Sequence, residues 1–377
     1  MVRRSVVASA AALALAIAVA ACGSSATTTD SASNAASIGT NAADPSGIAH
    51  ARAVVKSLSV PQAPLAVASL PRAPQKGLTI DIDTCALTVC EATTNAAAQA
   101  AKDLGWKVKM FTIPPTPQAY VQAWTQMLQQ PPQMIADTSI FPHTIIAKQL
   151  AEAQRLKIRI VDMGSGGLPL PSGLTASIAG SAPFARDGQL MGDIVAADAG
   201  GKATVLVPVD PTFEAEWTPI TDGLKSELKA TCGCTITTTQ VSVSAPSSQI
   251  QSTIINFLKS NPNVKYVAAF TPGYLIGLPQ ALKAAGLSDV KLVSREPQAV
   301  DMQYLQAGEE IGNVLSENAA AGWRTIGDLA SASEGIKPAF NVAGYHAILT
   351  PHNVHSTVVP TVPGVPADYL TAWHVEQ

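Results

Sequence analysis

The sequence predicts an α/β fold of two lobes, each built on a doubly wound parallel sheet. From residue 77 onward, short runs rich in Val, Ile and Leu alternate with longer, Ala-rich runs of helical period. The alternation stops and restarts between residues 176 and 183, which divides it into two series. Repeated strand–helix–strand units form parallel sheets with helices on both faces. A chain of 377 residues has room for two such domains.

The first series begins with a predicted strand at residues 78–82 and a helix at 95–104, which Gly105 ends. Thr116 and Pro117 begin the next helix, because Thr caps a helix and Pro fits its first turn. The other elements of this series are the strands 108–111, 134–136 and 158–161 and the helix 144–155.

The second series repeats the pattern. Its predicted elements are the helices 186–198, 218–228, 250–258 and 275–285 and the strands 204–207, 235–243, 264–270 and 290–293. In open parallel sheets, ligands bind at the carboxyl ends of the strands. Two lobes that face each other therefore predict a cleft between those ends.

The N-terminal residues predict export. Arg3 and Arg4 precede an uncharged apolar stretch that ends in small residues, as in a signal peptide covering residues 1–21. Residues 19–22 (Val-Ala-Ala-Cys) resemble a bacterial lipobox, in which Cys22 is acylated and becomes the new N-terminus. The alternative is a plain signal peptide with an incidental Cys.

Residues 22–50 are predicted to be a lipidated flexible tether, because Ser, Thr, Ala and Asn bury too little surface to offset their ordering entropy. Residues 51–76 follow as a Pro-rich lead-in. The predicted location is therefore extracytoplasmic, on the outer face of the cell membrane, to which the protein is anchored as a lipoprotein.

Composition and missing motifs exclude several functions. The formal net charge is −3, so no basic surplus is present to bind nucleic acid. No Gly-x-Ser-x-Gly motif occurs, and Gly200-Gly201-Lys202 lacks the remaining residues of a phosphate loop. His352 and His355 have no partner carboxylate and are interpreted as surface residues. We therefore predict no enzyme, no cofactor and no metal site.

Four cysteines form two local pairs, Cys85 with Cys90 and Cys232 with Cys234. An exported protein meets oxidising conditions, which favours two short structural disulfides. A zinc site with four thiolates is the alternative, but neither pair has the usual spacing of two residues.

Candidate ligand-binding residues are the polar and aromatic side chains at the predicted strand ends and crossings. They are Asp83, Thr84, Asp137, Thr138, Ser165, Asp210, Phe213, Trp217, Thr271, Tyr274, Glu296 and Glu317. A cleft needs a few convergent hydrogen-bonding groups and flat apolar walls. As alternatives, the three Asp residues would cap helices, Phe213 and Trp217 would pack together, and Tyr274 would lie in the core.

Three segments carry a resemblance to a known family. Residues 95–106 (NAAAQAAKDLGW), residues 267–270 before a Gly-Tyr turn, and residues 281–286 resemble type I periplasmic binding proteins of the ribose-binding-like branch. The resemblance covers about residues 77–377. The stretch at 51–77 is similar to that of actinobacterial lipoproteins in the same group.

The resemblance implies a hinge that the chain crosses three times, near residues 176–183, 316–318 and 341–345. Lobe one would then comprise residues 77–178 and 317–343, and lobe two residues 179–316 and 344–377. It also implies a monomeric solute receptor that delivers a small organic molecule to ABC permease subunits when its hinge closes. A sensory receptor for a membrane signalling partner is the alternative, followed by an extracytoplasmic enzyme with paired carboxylates or a nucleophile and base in the cleft.

This chain departs from the sugar-binding pattern of that family. Sugar-binding members of that family carry an Asp-Arg pair after the fourth strand, where this chain has Gly164 and Ser165. They carry an Asn in the second lobe, where this chain has Thr271. A solute rich in hydroxyls would leave polar groups unpaired in such a site. The predicted solute is therefore sugar-like or less polar, and Glu296 or Arg295 would meet any charged group.

Overall fold

The fold has two lobes, each organised by one sheet of mainly parallel strands. The computed structural model describes residues 45–86, 88–139, 141–164, 171–178, 180–316, 318–338 and 344–375. All of them belong to one unit, Asn41–Gln377. The predicted signal peptide, the acylated Cys22 and most of the tether lie outside the described residues.

The strands are β1 (Thr79–Cys85), β2 (Lys107–Ile113), β3 (Met134–Asp137), β4 (Arg159–Asp162), β5 (Ala176–Ser177), β6 (Thr204–Val209), β7 (Thr235–Gln240), β8 (Val264–Ala268), β9 (Lys291–Arg295), β10 (Glu310–Leu315) and β11 (Ala347–Leu349). The helices are α1 (Pro45–Leu58), α2 (Thr88–Asp103), α3 (Pro117–Gln129), α4 (Ala147–Arg155), α5 (Ser181–Ala199), α6 (Glu214–Thr231), α7 (Ser247–Ser260), α8 (Leu278–Ala284), α9 (Ala299–Ala307), α10 (Asn318–Ser333) and α11 (Ala367–Ala372).

The two sheets share the same pattern of strand order. The sheet of lobe one has the order β2-β1-β3-β4-β5, and all its pairs are parallel. The sheet of lobe two has the order β7-β6-β8-β9-β10, to which β11 adds an antiparallel edge. The strand order reverses between β1 and β3 in one lobe and between β6 and β8 in the other, the place where such sheets bind ligands.

Apolar layers cover both faces of the lobe-one sheet. On one face, Ile80 and Ile82 of β1 pack with Trp323 of α10. On the other face, Ile135 and Ile160 pack with Trp124 of α3. Apolar side chains of the sheet are therefore covered by helices on both faces, as is typical of parallel sheets, although β1 also carries Asp81 and Asp83.

Lobe two is held together by a close contact between α5 and α6. A Cβ atom at Gly188 of α5 would collide with the carbonyl of Ile220 of α6, so only glycine permits this approach. The contact brings the start of α5, with Asp187, next to the start of α6, with Glu216. Both residues belong to the site described below.

Several element boundaries differ from the predicted ones. The helix predicted at 95–104 begins at Thr88, and the helix predicted at 186–198 begins at Ser181. The strand predicted at 235–243 ends at Gln240, and a 3-10 helix, Pro272–Leu275, precedes α8. The alternation also continues past residue 293, through α9, β10, α10 and β11.

The N-terminal part is more ordered than predicted. The sequence predicts a flexible tether to residue 50, whereas α1 begins at Pro45 and packs on lobe two. Ile48 and Ala51 are buried in the core of that lobe, because the Ser- and Thr-rich composition gives way here to an amphipathic helix.

The C-terminal part also differs from prediction. The sequence predicts residues 344–377 in lobe two, which fits β11 but not α11. Tyr369 and Trp373 instead pack on Trp323 in the core of lobe one, with ring centroids 5.9 and 5.6 Å away. The lead-in runs beside this segment, since the Leu70 N–H donates to the Ala372 carbonyl at 2.9 Å.

All three predicted crossings lie partly outside the described residues, the first because residue 179 is not described. The first joins β5 to α5 around residue 180. The second joins β10 to α10 and includes the undescribed Glu317, and the third includes the undescribed residues 339–343.

Candidate functional site

Two adjoining hollows lie between the lobes, at the edge where the parallel strands end. The first hollow has a volume of about 140 Å³, and the second about 190 Å³. They share the lining residues Cys90 and Glu216, so they are parts of one cleft. The polar lining of the first hollow includes Thr138, Ser139, Asp187, Glu216, Arg295, Glu296, Ser316, Asn318 and His346.

A buried network of carboxylates follows the strands of lobe one. Asp83, at the end of β1, accepts hydrogen bonds from the Thr138 N–H at 2.6 Å and from the Thr138 hydroxyl at 2.7 Å. Asp137, at the end of β3, accepts from the Tyr120 hydroxyl at 2.9 Å and lies 2.8 Å from His143 Nε2. These bonds bind the strand ends to one another and to α3.

Asp162, at the end of β4, extends the network along the edge of the first hollow. It accepts hydrogen bonds from the Ser139 hydroxyl, from the Ser177 hydroxyl at 2.8 Å and from the Gly164 N–H at 2.8 Å. The carboxylates of lobe one therefore hold their own loops in place.

Most of the charge in this network is neutralised within lobe one. Burial, and then the adjacent Asp137, raise the pKa of Asp83 well above its usual range. Burial also opposes ionisation of Asp137, but the hydrogen bond and charge of His143 outweigh it and lower the pKa of Asp137. The same pairing outweighs burial at His143 and raises its pKa. Asp83 is therefore protonated, while Asp137 and His143 form an ion pair.

A second cluster, centred on Arg295 at the end of β9, forms the wall of lobe two. Arg295 Nε donates to Asp187 Oδ2 at 2.7 Å, Nη2 lies 2.8 Å from Glu296 Oε1, and Nη1 donates to Glu216 Oε1 at 3.3 Å. The ring of Phe184 lies 5.2 Å from the guanidinium carbon. One buried cation thus faces three carboxylates.

The three carboxyls differ in how readily they ionise. Burial raises the pKa of Glu296 to about 7 and also raises that of Glu216. Burial acts on Asp187 too, but Arg295 and His346 outweigh it and lower the pKa of Asp187. Asp187 is therefore the permanent anion of the cluster.

Glu296 combines three unusual features. Its backbone has φ 57°, a left-handed conformation that non-glycine residues seldom adopt. Its side chain is 9% exposed, and Oε2 has no hydrogen-bond partner within the described structure. Strained residues of this kind cluster at functional sites. Glu296 therefore presents a buried acceptor to the first hollow.

The second hollow has aromatic and apolar walls. Phe213 stacks on Phe141 of lobe one across the cleft, with ring centroids 6.5 Å apart and planes at 19°. Thr271, before the 3-10 helix, lies on the same lining as Phe270 and Ile250. Contacts between the lobes therefore close one side of the cleft.

Both cysteine pairs lie at disulfide-bonding distance. The Cα atoms of Cys85 and Cys90 are 5.6 Å apart, and those of Cys232 and Cys234 are 5.1 Å apart. The first pair joins the end of β1 to the first turn of α2. Cys90 lines both hollows, and Cys85 lines the second. The second pair lies at the end of α6, beside the lobe-two core.

The structure brings four of the predicted ligand residues to the hollows: Thr138, Phe213, Thr271 and Glu296. Ser165 and Glu317 lie outside the described residues. For these six, ligand contact stays a prediction.

The other predicted residues make contacts inside their own lobes. Asp83 and Asp137 belong to the lobe-one network, and Thr84 accepts a hydrogen bond from Thr94 at 3.0 Å. Asp210 accepts from the N–H groups of Thr212 at 2.9 Å and Val243 at 2.9 Å, and so caps a 3-10 helix.

The two remaining predicted aromatics also point away from the hollows. Trp217 Nε1 donates to the Asp210 carbonyl at 2.9 Å, and the Tyr274 hydroxyl donates to the Val241 carbonyl at 2.7 Å. Neither ring lines a hollow. Both hydrogen bonds satisfy polar groups that packing buries.

Sequence reasoning missed several lining residues, chiefly Asp187, Glu216, Phe184 and His346. Glu216 lies in the first turn of α6 and Asp187 in the second turn of α5, and both helices begin earlier than predicted. Their rarity could have drawn attention to them, because the chain is only 14% charged. Both acids also stand near the starts of helices that begin at the cleft.

Two groups of side chains in the described structure could hold a metal ion. Asp137, His143 and Asp162 form one, and His50, Asp193 and Glu227 form the other. The first is already satisfied by the internal bonds of lobe one, and the second lies where α1 covers α5 and α6. His352 and His355, interpreted as surface residues, are exposed.

The carboxylates that meet in the cleft are ion-paired through Arg295. A general acid and base would need carboxyls free to face a substrate from separate positions. Here the guanidinium bonds to each of the three, so the geometry fits recognition of a bound molecule.

The fold and this cleft define a two-lobed binding protein. A family model described as "Periplasmic binding protein domain" matches residues 87–337, and the chain belongs to that family. A comparison with curated proteins found no match. Within the described residues, none of the helices is both long enough and apolar enough to span a membrane.

Solved structures share the fold at low sequence identity. A glucose-galactose binding protein from Geobacillus stearothermophilus is 16% identical with a TM-score of 0.65, covering 74% of this chain and 99% of its own. An ABC transporter solute binding protein from Mycobacterium smegmatis with bound glycerol is 17% identical with a TM-score of 0.64, covering 75% and 99%. One from Agrobacterium vitis bound with alpha-D-tagatopyranose is 18% identical with a TM-score of 0.64, covering 74% and 96%.

Proposed function

We propose that this protein is a lipid-anchored, extracytoplasmic receptor that binds a small organic solute between its lobes and delivers it to an ABC importer. The observation that carries the proposal is the cleft at the carboxyl ends of both sheets, lined by polar groups from both lobes. Family membership supports the class of protein. The solute, the anchor and the importer are parts of the proposal.

Binding would work by a shift between open and closed arrangements of the lobes. A solute that contacts Thr138 on one lobe and Glu296 on the other binds the closed arrangement better than the open one. The population then shifts toward closure by an amount set by that difference in affinity. A permease can distinguish loaded from empty receptor by this change of surface alone.

Binding and closure can be tested together on the mature chain without its lipid. Calorimetric titration with a panel of hydroxylated and less polar solutes identifies ligands, starting from galactose and glycerol, which the structural neighbours suggest. Small-angle scattering with and without the ligand measures closure. We expect micromolar binding accompanied by a smaller radius of gyration.

A matched pair of variants locates the site. Thr271→Phe adds bulk to the second hollow, whereas Thr125→Phe adds the same bulk on the exposed face of α3. The first should weaken binding at least about tenfold and the second should leave it unchanged. Equal effects, or binding without closure, would contradict the proposed site.

The anchor is tested in the cell. Cys22→Ala removes the acylated residue, and we expect the protein to move from the membrane fraction to the soluble exported fraction. Retention in the membrane fraction would contradict acylation at Cys22. A sensory role is distinguished by deleting the neighbouring permease genes, which abolishes uptake of the solute only if the protein serves an importer.

A further inference from the structure

We propose that the solute carries a positively charged group, an ammonium or amidinium, that binds beside Glu296 in the first hollow. The inference rests on the proposed solute-binding function and specifies the ligand of that same site. It is carried by the charges of the lobe-two wall and by the buried oxygen atom of Glu296 that has no partner.

The lobe-two wall holds more carboxyl groups than groups that can be positive. Asp187, Glu216 and Glu296 all bond to Arg295, and His346 Nε2 lies 3.1 Å from Asp187 Oδ1. In the described lining of both hollows, Arg295 and His346 are the groups that can be positive. The wall therefore sets three carboxyl groups against two groups that can be positive, and Glu216 and Glu296 have no cation other than Arg295 among them.

Arg295 is not available to a ligand. It is 2% exposed, its three nitrogens each bond to a carboxylate, and Nη1 also donates to the Phe270 carbonyl at 3.4 Å. The ring of Phe184 lies beside the guanidinium. An anionic solute would meet carboxylates without a free cation, which excludes anions from the expected ligand class.

Glu296 Oε2 offers the contact that a cation needs. The atom is buried, it lacks a partner in the described structure, and its residue lines the first hollow. A buried carboxylate oxygen without a partner is costly, and a charged donor satisfies it better than a neutral one. A sugar hydroxyl would make one hydrogen bond there and leave the charge uncompensated.

Lobe one does not supply the missing charge. Its one histidine in the network, His143, is paired with Asp137, and its strand-end carboxylates bond to their own loops. The rest of the first hollow includes Met163 and Ile178 beside Phe184. These surfaces suit an apolar organic body attached to the cationic group.

Pairs of probes that differ in charge but not in shape test the inference. Galactosamine is compared with galactose, and ethanolamine with ethylene glycol, at neutral pH and constant ionic strength. Calorimetry gives affinities, and the shift in Tm reports weak binding, because a ligand of the native state stabilises it. We expect the cationic member of each pair to bind at least about tenfold tighter.

Two variants connect that preference to the wall. Glu296→Gln keeps the shape of the side chain and should reduce the preference to within about threefold. If the first variant fails to fold, Glu216→Gln at a more exposed position replaces it as the test and should also reduce the preference. Asp289→Asn removes one exposed charge outside the hollows and should leave the preference unchanged.

The outcomes separate this inference from the proposed function. A neutral probe that binds as tightly as its cationic partner, or a preference that Glu296→Gln does not alter, would overturn the inference while leaving solute binding intact. The inference is also overturned if a neutral solute closes the lobes but the cationic probes raise Tm no more than sodium chloride at the same ionic strength does. Absence of closure with every solute would count against the proposed function itself.

Discussion

The two walls of the cleft use the same kind of side chain in opposite ways. In lobe one, Asp83, Asp137 and Asp162 bond to hydroxyls, backbone N–H groups and one histidine of their own lobe. In lobe two, three carboxylates converge on Arg295 and keep an acceptor open toward the hollow. Strand-end carboxylates thus bond within their own lobe in lobe one, whereas Glu296 lines the first hollow in lobe two.

The difference follows from which partners each sheet provides. Tyr120 and His143 reach Asp137 at the end of β3 from α3 and from the 3-10 helix His143–Ile146. Around Arg295, the second turn of α5 and the first turn of α6 add the further acids Asp187 and Glu216. Lobe one therefore surrounds its acids with neutral donors and one imidazole, whereas lobe two gathers three acids around one guanidinium.

The largest expected effect comes from removing the cation of the lobe-two wall. Arg295→Met leaves three carboxylates without their shared partner and should lower the free energy of unfolding by about 3–5 kcal/mol. Urea denaturation measures the loss. The control, Arg155→Met, breaks the exposed pair with Glu152 and should leave the free energy of unfolding almost unchanged. A loss at Arg295 no larger than the control would show that the carboxylates are protonated instead.

A smaller loss is expected in lobe one. His143→Gln removes the imidazolium beside Asp137, but Gln can still donate, and the Tyr120 hydroxyl and Ser139 N–H remain in place. The free energy of unfolding should fall by about 1–2 kcal/mol, as for a lost charged hydrogen bond with other donors present. If this variant were as unstable as Arg295→Met, the two walls would not differ as described.

Stability should also depend on pH through Glu296. The pKa of this residue is raised to about 7 in the folded chain, so native protein holds a proton that the unfolded chain has already lost near neutrality. Raising the pH from about 6 to about 8 should therefore lower the free energy of unfolding by about 1 kcal/mol for this group.

Tm measured across that pH range, with Glu296→Gln as the comparison, checks the contribution. Asp193 and Asp328, whose pKa values burial also raises to about 7, should add slopes of the same sign. The Gln variant should thus lose only part of the dependence. A wild-type Tm that rises toward pH 8 would contradict the raised pKa values.

The smallest effect should come from Asp83→Asn. The Asn carbonyl can accept the two bonds from Thr138, and its amide can replace the proton that Asp83 shares with Asp137. We expect a change below about 1 kcal/mol in the free energy of unfolding. The matched variant in lobe two, Asp187→Asn, weakens the ion pair with Arg295 and should cost more; equal costs would mean that Asp83 is ionised.

Local pattern was enough to predict most strands of the two sheets and the edge at which the cleft lies. β1, β6 and β8 lie where β-branched runs predicted strands, and Thr138, Phe213, Thr271 and Glu296 at strand ends do line the hollows. Periodicity could not predict α11 on lobe one, because that contact joins Trp373 to Trp323, fifty residues earlier in the chain. It also could not show that the Asp210 carboxylate accepts a hydrogen bond from the nearby Thr212 N–H instead of lining a hollow.

By itself, the sequence determined the class of fold, the paired cysteines and the edge of each sheet at which the cleft lies, since these depend on residues close together in the chain. Only the tertiary structure decided which acids face the cleft. Asp187, Glu216 and Arg295 come from α5, α6 and β9, up to 108 positions apart. Their joint charge exists only after packing brings them together, because burial and mutual distance set the energy of a charge.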